Sequence, residues 1–471
     1  MLLLKSLLDL PFTGGDLRRY YFIKYKAWLD KHQHYYYISL LQTLFLLTLL
    51  TDGNPMRIAL LSNEYPPRVY GGAGVHVDYL SRELLALENG KHSLQILCFG
   101  DQKVSSENSM VQGIAPRANF PYKDSRHEKL FDALYRNLAM AGSVKEADLV
   151  HCHTWYTHFA GCLLKELLDI PLILTVHSLE PHRPWKEEQL ANAYAVTTWL
   201  EKTALSNADG VIAVSKSMME DVQELYGISP EKIRVIHNGI DLDHYKPTFD
   251  KEIISSYGIN PEKPFILFVG RITRQKGIIH LINGIPHLDG DIQIVLCAAA
   301  ADTEAIYREM NEKIEEVRGN SKNQIIWISE VVPENHLAIL YTHASVFVCP
   351  SVYEPFGIIN LEAMACNTPV VASAVGGIRE VVIHNKTGLL VEFESGDNFQ
   401  PKRPEQFSRD LAAAINQLLA SPQKLKAMGI ESRKRVEQHF SWRNIARQTL
   451  EYYREVTDAY RRETRPNPDV S

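Results

Sequence analysis

From Met56 onward the chain alternates short apolar runs with longer stretches in which apolar residues recur every three or four positions. Runs at residues 56 to 61, 94 to 99, 147 to 150, 172 to 176, 210 to 214 and 233 to 236 are too short for helices, and several are β-branched. Continuous runs of that kind suit strands buried on both faces of a parallel sheet. Val77 to Leu87 and Thr197 to Leu205 between them carry the helical period. After Lys246-Pro247 and a polar segment the pattern restarts at Phe265 to Gly270 and continues through 292 to 297, 324 to 328, 345 to 349, 369 to 372 and 388 to 391. The alternation predicts an α/β chain of two doubly wound, Rossmann-like units, residues 56 to 245 and 246 to 440. A closing segment, 441 to 471, begins with a helical stretch expected to pack back across the first unit.

The first 55 residues read differently. Tyr35 to Leu50 is largely apolar, but Ser39, Gln42, Thr43 and Thr48 interrupt it, and it falls short of the ~18 consecutive apolar residues that argue a membrane span. Thr51-Asp52-Gly53-Asn54-Pro55 offers no small-x-small cleavage site, so a secretory signal fits poorly. Two readings stand: an over-extended gene start ahead of a natural Met56, or a peripheral helix pair or amphipathic anchor. No chemistry is expected before Met56, and a chain beginning there is expected to be active.

Composition narrows the function classes. Hydrophobic residues make up 45% and charged residues 23%, the range of soluble globular proteins. Fifty Lys and Arg against 56 Asp and Glu leave a net charge of -6, so no global basic field holds nucleic acid or anionic lipid. Neither nucleic acid nor a membrane is an expected partner, and any anion site must be local. The six cysteines lack C-x-x-C spacing and several lie in apolar runs, which reads as small core residues in a reducing cytoplasm.

Open parallel sheets bind ligands at the carboxyl ends of their strands, and the candidate chemistry falls there. Tyr70-Gly71-Gly72-Ala73-Gly74 follows the first strand and opens a helix, where glycines and oriented N–H groups suit a phosphate. His151-Cys152-His153 and Thr175-Val176-His177 end two strands; they read as core or substrate-lining histidines more than metal ligands, and the position of His177 favours substrate. Arg271 and Lys276, in Gly270-Arg271-Ile272-Thr273-Arg274-Gln275-Lys276-Gly277, can neutralise a departing diphosphate. Glu354, in Tyr353-Glu354-Pro355-Phe356-Gly357, is expected to lead a helix with Glu362 about two turns later on nearly the same face. One carboxylate then holds sugar hydroxyls and the other a ribose. Gly376-Gly377 forms another glycine turn, suited to the distal phosphate.

These motifs, with His237-Asn238-Gly239-Ile240-Asp241, Ser178-Leu179-Glu180-Pro181 and Arg183-Pro184-Trp185-Lys186, resemble the family-four retaining glycosyltransferases of the GT-B fold, and among them the corynebacterial-type glycogen synthases. The resemblance spans Met56 to about Arg461; Asn367 stands where glycine is usual and His182 where leucine is common. It implies two Rossmann-like domains facing across a cleft and retaining transfer of glucose from ADP-glucose. The acceptor implied is an α-1,4-glucan, or glucose 1-phosphate giving maltose 1-phosphate; the alternative within the family is another nucleotide-sugar donor with a different small or lipid acceptor. Arg271 and Lys276 then hold the diphosphate, Glu354 the donor sugar, Glu362 the ribose, and His177 and Asn238 the glucose hydroxyls. Gly72, Gly376 and Gly377 meet the phosphates, Gly357 and Ile358 complete the donor set, and Val331 lies in the loop that reads the base. His153, Arg183 and Lys186 are the acceptor-side candidates. No metal or other cofactor is expected.

Other classes stay open. Asp241-Leu242-Asp243 and Asp289-Gly290-Asp291 match the Asp-x-Asp text of metal-dependent transferases, although the motif recurs by chance. A nicotinamide oxidoreductase wants G-x-G-x-x-G, which opens neither unit. A sugar-binding protein shares the cleft but has no use for the Arg271 and Lys276 pair.

Overall fold

The computed structural model describes residues 54–464 apart from 70, 117–123, 184, 185, 300 and 302. Tyr70, Pro184 and Trp185 of the motifs above, and the readings made on residues 1–53, lie outside the described residues.

The first unit is an eight-stranded sheet in the order β3-β4-β2-β1-β5-β6-β7-β8. Its strands are β1 (Arg57–Ser62), β2 (Ser93–Phe99), β3 (Lys103–Ser105), β4 (Ser109–Ile114), β5 (Leu149–His153), β6 (Leu172–Val176), β7 (Gly210–Ala213) and β8 (Ile233–Val235). All pairs are parallel except β3 with β4. That antiparallel edge was not in the sequence reading, because β3 is exposed at all three positions and has no apolar run to announce it. The second unit is a six-stranded parallel sheet in the order β11-β10-β9-β12-β13-β14, made of β9 (Phe265–Val269), β10 (Gln293–Cys297), β11 (Gln324–Ile328), β12 (Val346–Cys349), β13 (Val370–Ser373) and β14 (Gly388–Val391).

Helices bearing on the site are α1 (Gly72–Ala86), α2 (Trp155–Leu168), α3 (Lys216–Tyr226), α4 (Ile278–Gly284), α5 (Glu334–His343), α6 (Ile358–Ala365), α7 (Ile378–Val381) and α8 (Trp442–Thr464). Local chemistry sets their ends. Ser215 caps α3, its Oγ accepting from the Met218 N–H at 3.0 Å, and Gly227 closes it in the left-handed conformation.

Strand side chains alternate between two cores. Ala59 and Leu61 join the apolar layer on one face of the first sheet, while Ile58 and Leu60 face the other, with α1 and α8. On α8, Trp442, Ile445, Ala446, Leu450, Tyr453 and Val456 recur at helical spacing and form its buried stripe. The chain therefore returns to cover the unit it made first. It crosses between units twice, and the crossings touch: the Ile240 N–H donates to the Phe440 carbonyl at 2.8 Å.

All six cysteines are free thiols, five of them buried. Among the described residues no helix is long and apolar enough to cross a membrane.

Candidate functional site

Strand order reverses at β1 in the first sheet and at β9 in the second, so each sheet opens a crevice at the carboxyl ends of the flanking strands. Gly72 follows β1 and His153 ends β5 at the first opening, and Arg271, Lys276 and Glu354 follow β9 and β12 at the second. Gly72 and Ile358 mark where the openings meet: a Cβ on Gly72 would lie 3.3 Å from Ile358 Cδ1, so the starts of α1 and α6 face each other. Both helix N-termini carry partial positive charge.

On the second unit, the loop after β9 folds tightly against the end of β12. Gly277 has φ +60 and a Cβ there would stand 2.0 Å from the Pro350 carbonyl oxygen, so only glycine fits. The turn delivers Lys276 Nζ to Glu354 Oε2 at 2.6 Å, and Ser351 Oγ donates to the same oxygen at 3.1 Å. Burial pulls the Lys276 ammonium pKa down, but the Glu354 carboxylate and neighbouring groups outweigh it, and the net shift is upward. Lys276 is a fixed cation. Arg271 lies exposed at the head of the same loop, and Val331, 85% exposed, projects from the loop after β11.

Two expectations need correction here. Glu354 does not lead a helix; α6 begins four residues later, because Pro355 disfavours helical backbone at Glu354 and Gly357 sits at φ +93. Glu362 is therefore the only one of the two on α6. Gly377 does not offer its N–H to a phosphate, since it donates to the Glu354 carbonyl at 3.0 Å. Gly376 is there for contact: with φ +46, its added Cβ would lie 2.1 Å from that same carbonyl oxygen. Glu362 Oε2 accepts from Tyr341 Oη on α5 at 2.8 Å, and burial raises its carboxyl to about 7.

The first unit presents a different surface. His76 on α1, His153 at the end of β5 and His177 just past β6 bring their rings together, with centroids of His76 and His177 4.9 Å apart. His153 Nδ1 and His177 Nε2 share a hydrogen bond at 3.0 Å, and His76 Nδ1 meets Asn238 Oδ1 at 2.6 Å. Behind them His151 is held between Tyr453 Oη of α8 at 2.6 Å and Thr175 Oγ1 at 2.7 Å. Burial pulls His76 down to about 4 and His153 and His177 well below the ordinary imidazole value, with the neighbouring histidines adding to it for the latter two. These rings are neutral at physiological pH. His153 is fully buried and hydrogen-bonded to His177, so it does not reach an acceptor.

The acceptor-side cations are also differently placed. Lys186 is buried, with Nζ 2.7 Å from Glu180 Oε1, and burial pulls its pKa down to about 8. Its charge is answered inside the protein and does not reach the cleft. Thr197 Oγ1 donates to the other Glu180 oxygen at 3.0 Å, and Glu201 accepts from the Glu180 N–H at 2.9 Å. Arg183 stands 3.8 Å from Glu180 Oε1, its Nε without a hydrogen-bond partner among the described residues. The Asp-x-Asp texts serve turns and surface: Asp241 Oδ1 accepts from the N–H groups of Asp243 and His244, and Asp291 pairs with Lys263 at 2.6 Å.

The sequence reading missed His76, Glu64 and Tyr341. His76 follows the glycine turn by two positions, but its partner Asn238 lies 162 positions away. Glu64, an acid in the loop after β1, accepts from the Gly71 N–H at 2.8 Å and holds the start of the glycine turn. Nothing in the sequence links Tyr341 to Glu362.

Residues 70–244 match the family model described as Glycosyltransferase Family 4, and residues 249–435 the one described as Glycosyl transferases group 1. Over 406 residues, 85% of this chain and 100% of the relative, the chain is 41% identical to an alpha-maltose-1-phosphate synthase of Mycolicibacterium smegmatis. The chain belongs to the family-four glycosyltransferases. A glycogen synthase of Mycobacterium tuberculosis is 28% identical over 438 residues, covering 88% of this chain and 97% of the relative. The solved structure of a sucrose-phosphate synthase from Thermosynechococcus elongatus superposes with a TM-score of 0.68 at 25% identity, covering 86% of this chain and 100% of the other. This glycosyltransferase thus has the GT-B architecture of two Rossmann-like domains, and it is an enzyme of the hexosyltransferase class.

Proposed function

We propose that this glycosyltransferase moves glucose from ADP-glucose to glucose 1-phosphate, with retention of the α configuration, to form maltose 1-phosphate. The observation that carries the transfer is the Lys276–Glu354 pair at the strand-order reversal of the second unit, just ahead of the α6 start that faces the start of α1. The full-length likeness to an enzyme named alpha-maltose-1-phosphate synthase, at 41% against 28% for the glycogen synthase, supports the small acceptor over a glucan.

In this reading Arg271 and Lys276 bind the donor diphosphate, and their attraction grows as the bond to the sugar breaks and charge collects on the leaving phosphate. An acceptor hydroxyl oxygen bonds to the anomeric carbon on the face that the diphosphate leaves. Its proton passes to the departing phosphate oxygen, so no protein nucleophile is required. Glu354 orients the donor glucose while held by Lys276 and Ser351. His177, neutral, hydrogen-bonds a glucose hydroxyl, Asn238 another, and Glu362 accepts from the ribose. Two fixed cations and facing helix ends supply the charge that a metal supplies elsewhere, so turnover is metal-independent.

The test measures nucleoside diphosphate release and product with ADP-glucose or UDP-glucose as donor, each with glucose 1-phosphate or glycogen as acceptor, in excess chelator. ADP release with formation of maltose 1-phosphate is expected. Glycogen elongation alone replaces the acceptor half of the proposal, and loss of activity in chelator, restored by manganese or magnesium, overturns the metal-free mechanism.

A further inference from the structure

The histidine cluster has more capacity than holding a hydroxyl. One ring nitrogen from each of His76, His153 and His177 lies within 4.8 Å of the other two. Burial keeps the rings neutral, so each has a lone pair to give. The His76 ring is already arranged as a ligand. Its Nδ1 faces the Asn238 carbonyl oxygen at 2.6 Å, which fixes the proton on Nδ1 and leaves the lone pair on Nε2. Metal-binding histidines hand their second N–H to just such an oxygen.

A second observation is independent of the first. His153 Nε2 is fully buried and has no hydrogen-bond partner among the described residues. On its other side His153 Nδ1 shares a hydrogen bond with His177 Nε2 at 3.0 Å, which the His177 ring gives up when it turns toward an ion; the edge of a tetrahedron with bonds of about 2.05 Å to zinc is ~3.3 Å. The 4.8 Å span of the set is wider than that edge, so one ring must turn inward. His177 is the member that is not fully enclosed, and it borders the cleft through which an ion would arrive.

We propose that His76, His153 and His177 form a binding site for a borderline divalent transition ion such as Zn²⁺, and that the ion and the donor sugar exclude each other. Three neutral imidazoles leave a fourth position for water and match zinc or cobalt better than magnesium, which prefers oxygen. The site has no part in turnover; occupied, it withdraws His177 from the sugar. The exclusion rests on the reading of His177 as a donor-sugar contact, whereas the binding itself does not.

The experiment titrates the full-length protein with Co²⁺ and follows its visible absorption, first without substrate and then with saturating ADP-glucose. One equivalent giving an intense band typical of a low-coordinate ion is expected, with affinity at least about tenfold weaker in His177→Asn and in His76→Phe. His177→Asn keeps the test valid if His76→Phe fails to fold, because the readout is spectroscopic and not catalytic. No such band in the wild type, or an unchanged band in His177→Asn, overturns the site. ADP-glucose is expected to displace the ion, with zinc raising the apparent KM for donor. A band that responds to the variants but not to ADP-glucose keeps the ion site, overturns the exclusion and removes His177 from the sugar.

Discussion

The two halves of the cleft are built from opposite materials. The second unit offers formal charge: Arg271, and a Lys276 ammonium against Glu354 at 2.6 Å. The first unit offers neutral dipoles: three imidazoles that burial keeps uncharged, and the Asn238 amide. Fixed charges stabilise charge that develops during reaction, while uncharged donors and acceptors discriminate hydroxyl groups without attracting every anion. The difference assigns the leaving group to one wall and the sugar and acceptor to the other.

The strongest way to break that division is Lys276→Ala. It is expected to lower kcat by about 10² or more, because the charge matters most as the diphosphate departs. It also leaves the Glu354 carboxylate buried without its cation, so the thermal midpoint should fall. Lys276→Ala combined with Glu354→Gln should recover the midpoint and not kcat. Near-normal turnover in the single variant, measured at saturating donor, would move the leaving group away from this wall. Arg271→Ala should lower kcat comparably with little change in midpoint, as an exposed loop residue.

Next comes Arg183, whose guanidinium stands 3.8 Å from the Glu180 carboxylate and donates to Ser178 Oγ at 3.5 Å. If it grips the acceptor phosphate, Arg183→Ala should raise KM for glucose 1-phosphate by about tenfold, the loss of one charged hydrogen bond, and leave glycogen kinetics alone. Equal changes for both acceptors would make the stretch structural.

The smallest expected effects are in pH dependence, and they separate the walls cleanly. Because His177 is held neutral well below its ordinary value, kcat should stay level between about pH 8 and 6. Glu362, raised by burial to about 7, takes up a proton as the pH falls through 7 and becomes a poorer acceptor for ribose hydroxyls. KM for the donor should therefore rise a few-fold below pH 7 while kcat holds. The same shift bears on stability. The folded state keeps a proton that the unfolded chain releases near 4.5, so this contribution is present at low pH and lost as pH rises through 7. Glu362→Gln should then raise the thermal midpoint above pH 7 and weaken nucleotide binding; a kcat limb near 6.5, or an unchanged midpoint in this variant, would contradict the assignment.

The sheets and the loops at their strand ends were legible because buried parallel strands leave continuous apolar runs and glycines mark the turns after them. Phe265 to Val269 and Val346 to Cys349 are such runs, and Lys276 and Glu354 follow directly from them. What stayed hidden depends on distant pairing. Lys186 resembles a free cation until Glu180 is seen to answer it inside the protein, and Gly377 resembles a phosphate donor until its N–H meets the Glu354 carbonyl. The Glu354 loop could have been read more closely, since Pro355 already argued against a helix there.

The return of α8 to the first unit has a consequence for biosynthesis. Tyr453 reaches His151 across 302 positions of chain, and Trp442, Ile445, Leu450 and Tyr453 complete the layer that includes Ile58, Leu60 and Leu80. A ribosome delivers the first sheet early and its cover last. The nascent N-terminal half must wait, with an apolar face uncovered, while the whole second unit is translated and folds. During that interval it is a natural client for a chaperone, and a chain terminated after the second sheet would leave that face with α1 but without α8.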